Sequence, residues 1–148
     1  MKRLFGLLLI LMMSPLFLNA QILNPVHWDF SKKKIGSDQY IVHLKAEIDP
    51  GWHIYAQDAG EGPIPTSFTF KKNDNLIFKG KVRGVGKLQK NFDKAFGSEL
   101  KYYEDSVDFV QYVQAKPGAE SIEGSLEYMV CDDEQCLPPK EVPFKITL

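Results

Sequence analysis

The chain has 148 residues, 44% of them hydrophobic and 25% charged, with 18 basic and 19 acidic residues and a net charge of −1. That apolar share is enough for one folded domain and excludes a disordered, charge-dominated chain, while the balanced charge excludes a polycationic surface for nucleic acid or anionic membrane. Two cysteines are too few for a small scaffold held together by disulfides.

The chain opens with Lys2 and Arg3 ahead of an apolar run from Leu4 to Leu18, followed by Asn19, Ala20 and Gln21. A basic start, a short apolar core and a small residue at its end predict a secretory signal peptide over residues 1–20, cleaved after Ala20. The run is shorter than a membrane span and is interrupted by Ser14 and Pro15. Cleavage takes the net charge from −1 to −3 and leaves 21–148 as one expected domain, soluble and monomeric.

Beyond the signal the dominant period is two. Tyr40, Val42, Leu44, Ala46 and Ile48 alternate with Ile41, His43, Lys45 and Glu47, which predicts a strand with one buried face, ended by Asp49-Pro50-Gly51. His43 falls on the outer face and is expected to be solvated. Ile122, Gly124, Leu126, Tyr128 and Val130 make a second such strand, and Val142, Phe144, Ile146 and Leu148 a third. Shorter strands are expected at Val26 to Phe30, Thr66 to Phe70, Leu76 to Phe78, Lys81 to Val85 and Ser106 to Ala115. Turn residues separate them at Gly36-Ser37-Asp38, Lys72-Asn73-Asp74, Gly84 and Gly86, Gly97-Ser98 and Pro117-Gly118. Asp58 to Gly62 and Lys90 to Phe96 leave room for a short turn of helix. Many short strands predict an all-β sandwich or barrel.

The cysteines stand between the last two strong strands as Cys131-Asp132-Asp133-Glu134-Gln135-Cys136, followed by Leu137-Pro138-Pro139. Leu126, Tyr128 and Val130 hold the core face, so Cys131 points away from it or lies at the strand's exit. A disulfide here would bridge the arms of a hairpin at its end, since the prolines prevent regular pairing just after Cys136. A ring of about six residues contributes only about 2 kcal/mol in the chain-entropy model. The acidic spacer disfavours thiolates and quiets the reduced pair. On residue chemistry alone, a passive bridge and a redox pair stand level. A metal site would need ligands beyond two thiols and the scattered His27, His43 and His53. No metal and no cofactor are expected, though uptake of copper or zinc by the thiols with Met129 nearby is a third reading. Nucleotide and hydrolase motifs are absent.

The segment from Tyr128 through Cys131 and Cys136 to Pro139 resembles the active-site region of the N-terminal domain of the transmembrane thiol:disulfide interchange protein DsbD. Asp49-Pro50-Gly51-Trp52-His53-Ile54-Tyr55 resembles that domain's Pro-Gly-aromatic…Tyr segment. Asp93-Lys94-Ala95-Phe96-Gly97 and the following Glu99 to Glu104 resemble its cap loop and the next strand. The resemblance implies an immunoglobulin-like β-sandwich in the periplasm, exchanging disulfides with thioredoxin-like redox proteins and a membrane-embedded reductase. It implies that Cys131 and Cys136 form the redox pair, with Cys136 making mixed disulfides and Cys131 resolving them. It also implies that Asn91 to Gly97 caps the pair, with Asp93, Ala95 and Phe96 as cap residues and His53 and Tyr55 in the pocket. Ala95 stands where the family carries a shielding aromatic, so either Phe96 shields the site or the cap is looser. The cysteines are one residue closer than in the best-known members. Without a membrane-spanning or thioredoxin-like portion before Leu148, the reductant is expected to be a separate protein. The competing expectation is a non-catalytic binding sandwich with a structural disulfide.

Overall fold

The computed structural model describes residues 23–94 and 96–148, so the expected signal peptide lies outside the described residues. The strands among the described residues are β1 (Val26–Lys34), β2 (Gln39–Ile48), β3 (His53–Tyr55), β4 (Ser67–Phe70), β5 (Leu76–Asp93), β6 (Ser98–Ala115), β7 (Ser121–Tyr128), β8 (Val130–Cys131) and β9 (Lys140–Thr147). One antiparallel sheet runs β1-β2-β6-β3-β8, with β5 along the other edge of β6; the second runs β4-β7-β9.

The alternation in β2 becomes burial of Val42, Leu44, Ala46 and Ile48. Val107, Phe109 and Val113 of the neighbouring β6 lie in the same core, and Ile122, Leu126, Phe144 and Ile146 come from the second sheet. Aromatic rings fill the space between the sheets. Phe109 lies 6.0 Å from Trp28 and 4.9 Å from Phe68, and Trp28 lies 5.5 Å from Tyr128. Two antiparallel sheets closed over one apolar layer make an immunoglobulin-like β-sandwich.

Tertiary packing redraws several elements. Leu76 to Phe78 and Lys81 to Val85 belong to one 18-residue strand, so Gly84 and Gly86 are not turns. A Cβ on Gly84 would lie 2.5 Å from the Tyr103 hydroxyl, and one on Gly86 would lie 3.0 Å from the Ser106 carbonyl. These glycines allow close approach within the sheet. Bulges between Lys79 and Arg83 and between Gly86 and Leu88 bend β5, and its continuous partner β6 holds Asp105 at φ 60° nearby. Past this bend, the first half of β6 pairs with β3 and the second half with β2. Among the described residues of Lys90 to Phe96 no helix forms, and β5 continues to Asp93. None forms at Asp58 to Gly62 either, where the Ala59 carbonyl accepts a 2.8 Å bond from the Lys101 N–H.

The strand expected over Ile122 to Val130 breaks at Met129. Its two pieces enter different sheets, β7 pairing with β9 and β8 with β3. His43 is not simply solvated: its Nδ1 lies 2.7 Å from Asp108 Oδ2 on β6, a partly buried cross-strand pair.

Candidate functional site

Alternation along β3 divides two environments. Ile54 pairs laterally with Tyr103 and Val130 and joins the main core, whereas His53 pairs with Cys131 and Tyr55 with Tyr102 on the opposite face. There Tyr55, Ala59, Leu100 and Cys131 form a small second core, edged by Phe96, Tyr102 and Met129. Cys131 is 2% exposed within it.

Cys131 and Cys136 form a disulfide with Cα atoms 4.1 Å apart. The Leu137 N–H donates to the Val130 carbonyl and the Asp132 N–H to the Gln135 carbonyl, each at 2.9 Å, so the bond closes a hairpin. Asp132 shapes its turn by accepting at Oδ1 from the Glu134 N–H at 2.8 Å and the Gln135 N–H at 2.7 Å. Those N–H groups hold the Asp132 carboxyl below its ordinary range. The two sulfurs thus belong to unlike residues, since Cys136 is exposed while Cys131 is buried.

The Tyr55 hydroxyl donates to Cys131 Sγ at 3.3 Å, and His53 Nε2 lies 3.4 Å from the same hydroxyl. Burial pushes Tyr55 up to about 12, with Asp93 and Tyr102 adding to the effect. Burial lowers His53, opposed by Glu104, Asp93, Asp133 and Asp132. The His53 ring packs 4.7 Å from that of Tyr102, whose hydroxyl accepts a 2.6 Å bond from Asn91 Nδ2.

The β5–β6 turn leans over this group. The Phe96 N–H donates to Asp93 Oδ1 at 3.1 Å and the Gly97 N–H to the Asp93 carbonyl at 2.8 Å, with Gly97 at φ +67°. Phe96 sets its ring edge-on to Tyr55 at 6.2 Å and lies over Gly62, where a Cβ would fall 2.4 Å from the Phe96 ring. Ser98 ties the hairpin to the neighbouring loop by donating to the Glu61 carbonyl at 2.7 Å. Between the hairpin and the disulfide turn lies a cleft of about 650 Å³, lined by His53, Tyr55, Phe96 and both cysteines among others. Phe92, 67% exposed, stands on its rim. Among the described residues no group of three His, Cys, Asp or Glu is gathered to hold a metal ion.

The family model for the N-terminal part of the thiol:disulfide interchange protein DsbD matches residues 20–148. The chain belongs to the DsbD N-terminal domain family. Among solved structures, the reduced N-terminal domain of Neisseria meningitidis DsbD aligns with a TM-score of 0.58 at 21% identity, covering 85% of this chain and 90% of that one. The N-terminal periplasmic domain of ScsB from Proteus mirabilis aligns with a TM-score of 0.56 at 16% identity, covering 81% of this chain and 44% of that one, so the chain spans less than half of the ScsB domain. A complex between the DsbD and PilB N-terminal domains of Neisseria meningitidis aligns with a TM-score of 0.56 at 18% identity, covering 84% and 87%. A comparison with curated proteins finds no match. At these identities the structures establish a shared fold.

In this DsbD N-terminal family domain, Cys131, Cys136, His53, Tyr55, Asp93 and Phe96 come together at one cleft, although they lie up to 83 positions apart in the chain. Ala95 lies outside the described residues. Sequence reasoning included Asn91 in the cap but did not single out Tyr102 or Gly62 as site residues. Tyr102 reaches the cleft through the β5–β6 register beside Asn91, and the sequence signal that could have found it is the alternation of Leu100, Tyr102 and Glu104. Gly62 had no such signal.

Proposed function

We propose that the domain is an exported thiol–disulfide interchange module, residues 21–148, working in the periplasm after loss of a signal peptide. It takes electrons from a membrane-embedded or thioredoxin-like reductase and passes them to exported oxidoreductases. The observation that carries this reading is the asymmetry of the pair, an exposed Cys136 joined to a buried Cys131 beneath a hydroxyl donor. A donor thiolate attacks Cys136 Sγ; the Cys131–Cys136 bond breaks, its electron pair going to Cys131, and a mixed disulfide forms. The donor's second thiolate then displaces Cys136, releasing the dithiol domain and an oxidised donor. Membership in a family named for disulfide interchange supports this chemistry, and the DsbD–PilB complex supports docking of such domains on protein partners.

The test is redox equilibration of the folded domain with reduced thioredoxin. Structural disulfides lie below about −300 mV. A bond that stays oxidised against thioredoxin defeats the proposal. Exposed Phe92 on the cleft rim favours partner docking as a second reading. Under that reading a Cys131→Ser/Cys136→Ser double variant keeps its full function.

The β5–β6 turn acts as a cover in this proposal, with Phe96 as its apolar contact. Gly62→Ala is expected to loosen it, because φ at Gly62 is +119° and the added methyl collides with the Phe96 ring. Strain of about 1 kcal/mol raises the opened fraction about fivefold. Reduction by a thiol monitored over time should accelerate to match, and an unchanged rate would remove Phe96 from the cover.

A further inference from the structure

Opening the disulfide leaves an electron pair on the less accessible sulfur. Cys131 is 2% exposed and sits behind an acidic turn, so a bare thiolate there is poorly solvated. Exchange is faster when the leaving sulfur is more readily stabilised. Within the cleft the Tyr55 hydroxyl contacts that sulfur at 3.3 Å, and His53 Nε2 stands 3.4 Å behind the hydroxyl. Register accounts for the alignment, since His53 and Tyr55 occupy one face of β3 and His53 pairs directly with Cys131 across to β8. Tyr102 on β6 packs against the His53 ring, with centroids 4.7 Å apart.

We propose that His53 and Tyr55 form a proton relay to Cys131, with Tyr55 as the catalytic donor and His53 as the positioning and proton-supplying residue behind it. The relay rests on the interchange reading for its biological use, but its chemistry belongs to the bond itself. As a thiolate forms its bond to Cys136 Sγ, the Cys131–Cys136 bond breaks and the electron pair moves to Cys131 Sγ. The Tyr55 hydroxyl proton passes to that sulfur, and the imidazolium of His53 returns a proton to the Tyr55 oxygen. His53 ends neutral, Tyr55 unchanged and Cys131 a thiol, and water reprotonates the imidazole. In the reverse direction neutral His53 draws the proton from Cys131 through Tyr55 and prepares the thiolate that closes the ring.

The charges around His53 suit a group that changes protonation in each cycle. Glu104 of β6, Asp93 at the hairpin and Asp132 and Asp133 of the turn favour the imidazolium, while burial opposes it and is the larger effect. Lys94 is the cation lining the same cleft. Tyr55, held up to about 12, keeps its proton at any pH where the imidazole titrates and so remains able to pass one on.

The experiment measures opening of the oxidised domain by dithiothreitol between about pH 5 and 8, the rate constant being divided by the thiolate fraction of the reagent. With burial lowering His53, the corrected constant for the wild type should rise about tenfold per pH unit as the pH falls toward the imidazole's titration, then level. His53→Gln keeps a donor for Tyr55 without a titrating proton, and Tyr55→Phe removes the group touching sulfur; each should give a flat profile at the slow limit. A flat wild-type profile, or the same rise in His53→Gln and Tyr55→Phe, overturns the relay. The expected profile with dithiothreitol supports the relay even if reduced thioredoxin fails to open the bond, a failure that counts against the interchange reading alone.

Discussion

Cys131→Ala is expected to accumulate a mixed disulfide between Cys136 and a redox partner, whereas Cys136→Ala accumulates about a hundredfold less over the same interval. Cys136 is exposed at the hairpin turn, so its thiol meets a partner sulfur with no opening beyond that of the β5–β6 cover. Removing Cys131 then removes the thiol that would resolve the adduct. In the reciprocal variant the remaining thiol, Cys131, is 2% exposed among Tyr55, Ala59 and Leu100. It reacts only after local opening, and an opening cost of about 3 kcal/mol lowers the reactive population about a hundredfold. Intact-mass measurement reads the outcome directly after incubation with a thioredoxin-type protein that keeps only its exposed active-site cysteine, activated as a mixed disulfide with a small aromatic thiol, so that neither partner holds a second thiol to reverse the adduct. Equal trapping by the two variants would contradict the assignment of roles.

Phe109→Ala should cost about 3 to 5 kcal/mol in urea unfolding, the largest stability effect expected of a single side chain here. Phe109 is fully buried at the centre of the sandwich and touches the rings of Trp28, Phe68 and Tyr103. These come from both sheets, Trp28 from β1, Phe68 from β4 and Tyr103 from β6 itself, so the cavity cannot close by moving one strand. Tyr103 pairs with Ile54, the core-facing neighbour of His53 and Tyr55, and the loss should therefore also loosen the cleft. A cost below about 1.5 kcal/mol would show that the rings repack around the void.

The period-two stretches of β2, β7 and β9 were legible because a strand at a half-buried surface imposes its pattern on consecutive residues. β5 was legible only in part. Leu76 to Phe78 and Lys81 to Val85 read as two short strands with Gly84 and Gly86 as turns, yet Gly84 is there because Tyr103, 19 residues later, comes down on it. Cys131 and Cys136 could be set at a hairpin end from Pro138 and Pro139, and the acidic spacer proved to be a turn capped by its own Asp132. Met129, where the chain leaves one sheet for the other, carried no local signal; the switch follows from β3 offering an edge to Val130 and Cys131.

The amino-acid order alone determined an all-β chain, the pairing partners of the two sulfurs and a family pattern spread from Asp49 to Pro139. Those features depend on neighbouring residues, through alternation, turn chemistry and the short reach between the cysteines. Only the tertiary structure decided that Cys131 lies buried and Cys136 exposed, and that His53, Tyr55 and Tyr102 line up behind the buried sulfur. Burial and hydrogen-bond reach at that site depend on strand register between distant segments and on the bend in β5 and β6, which no local pattern encodes.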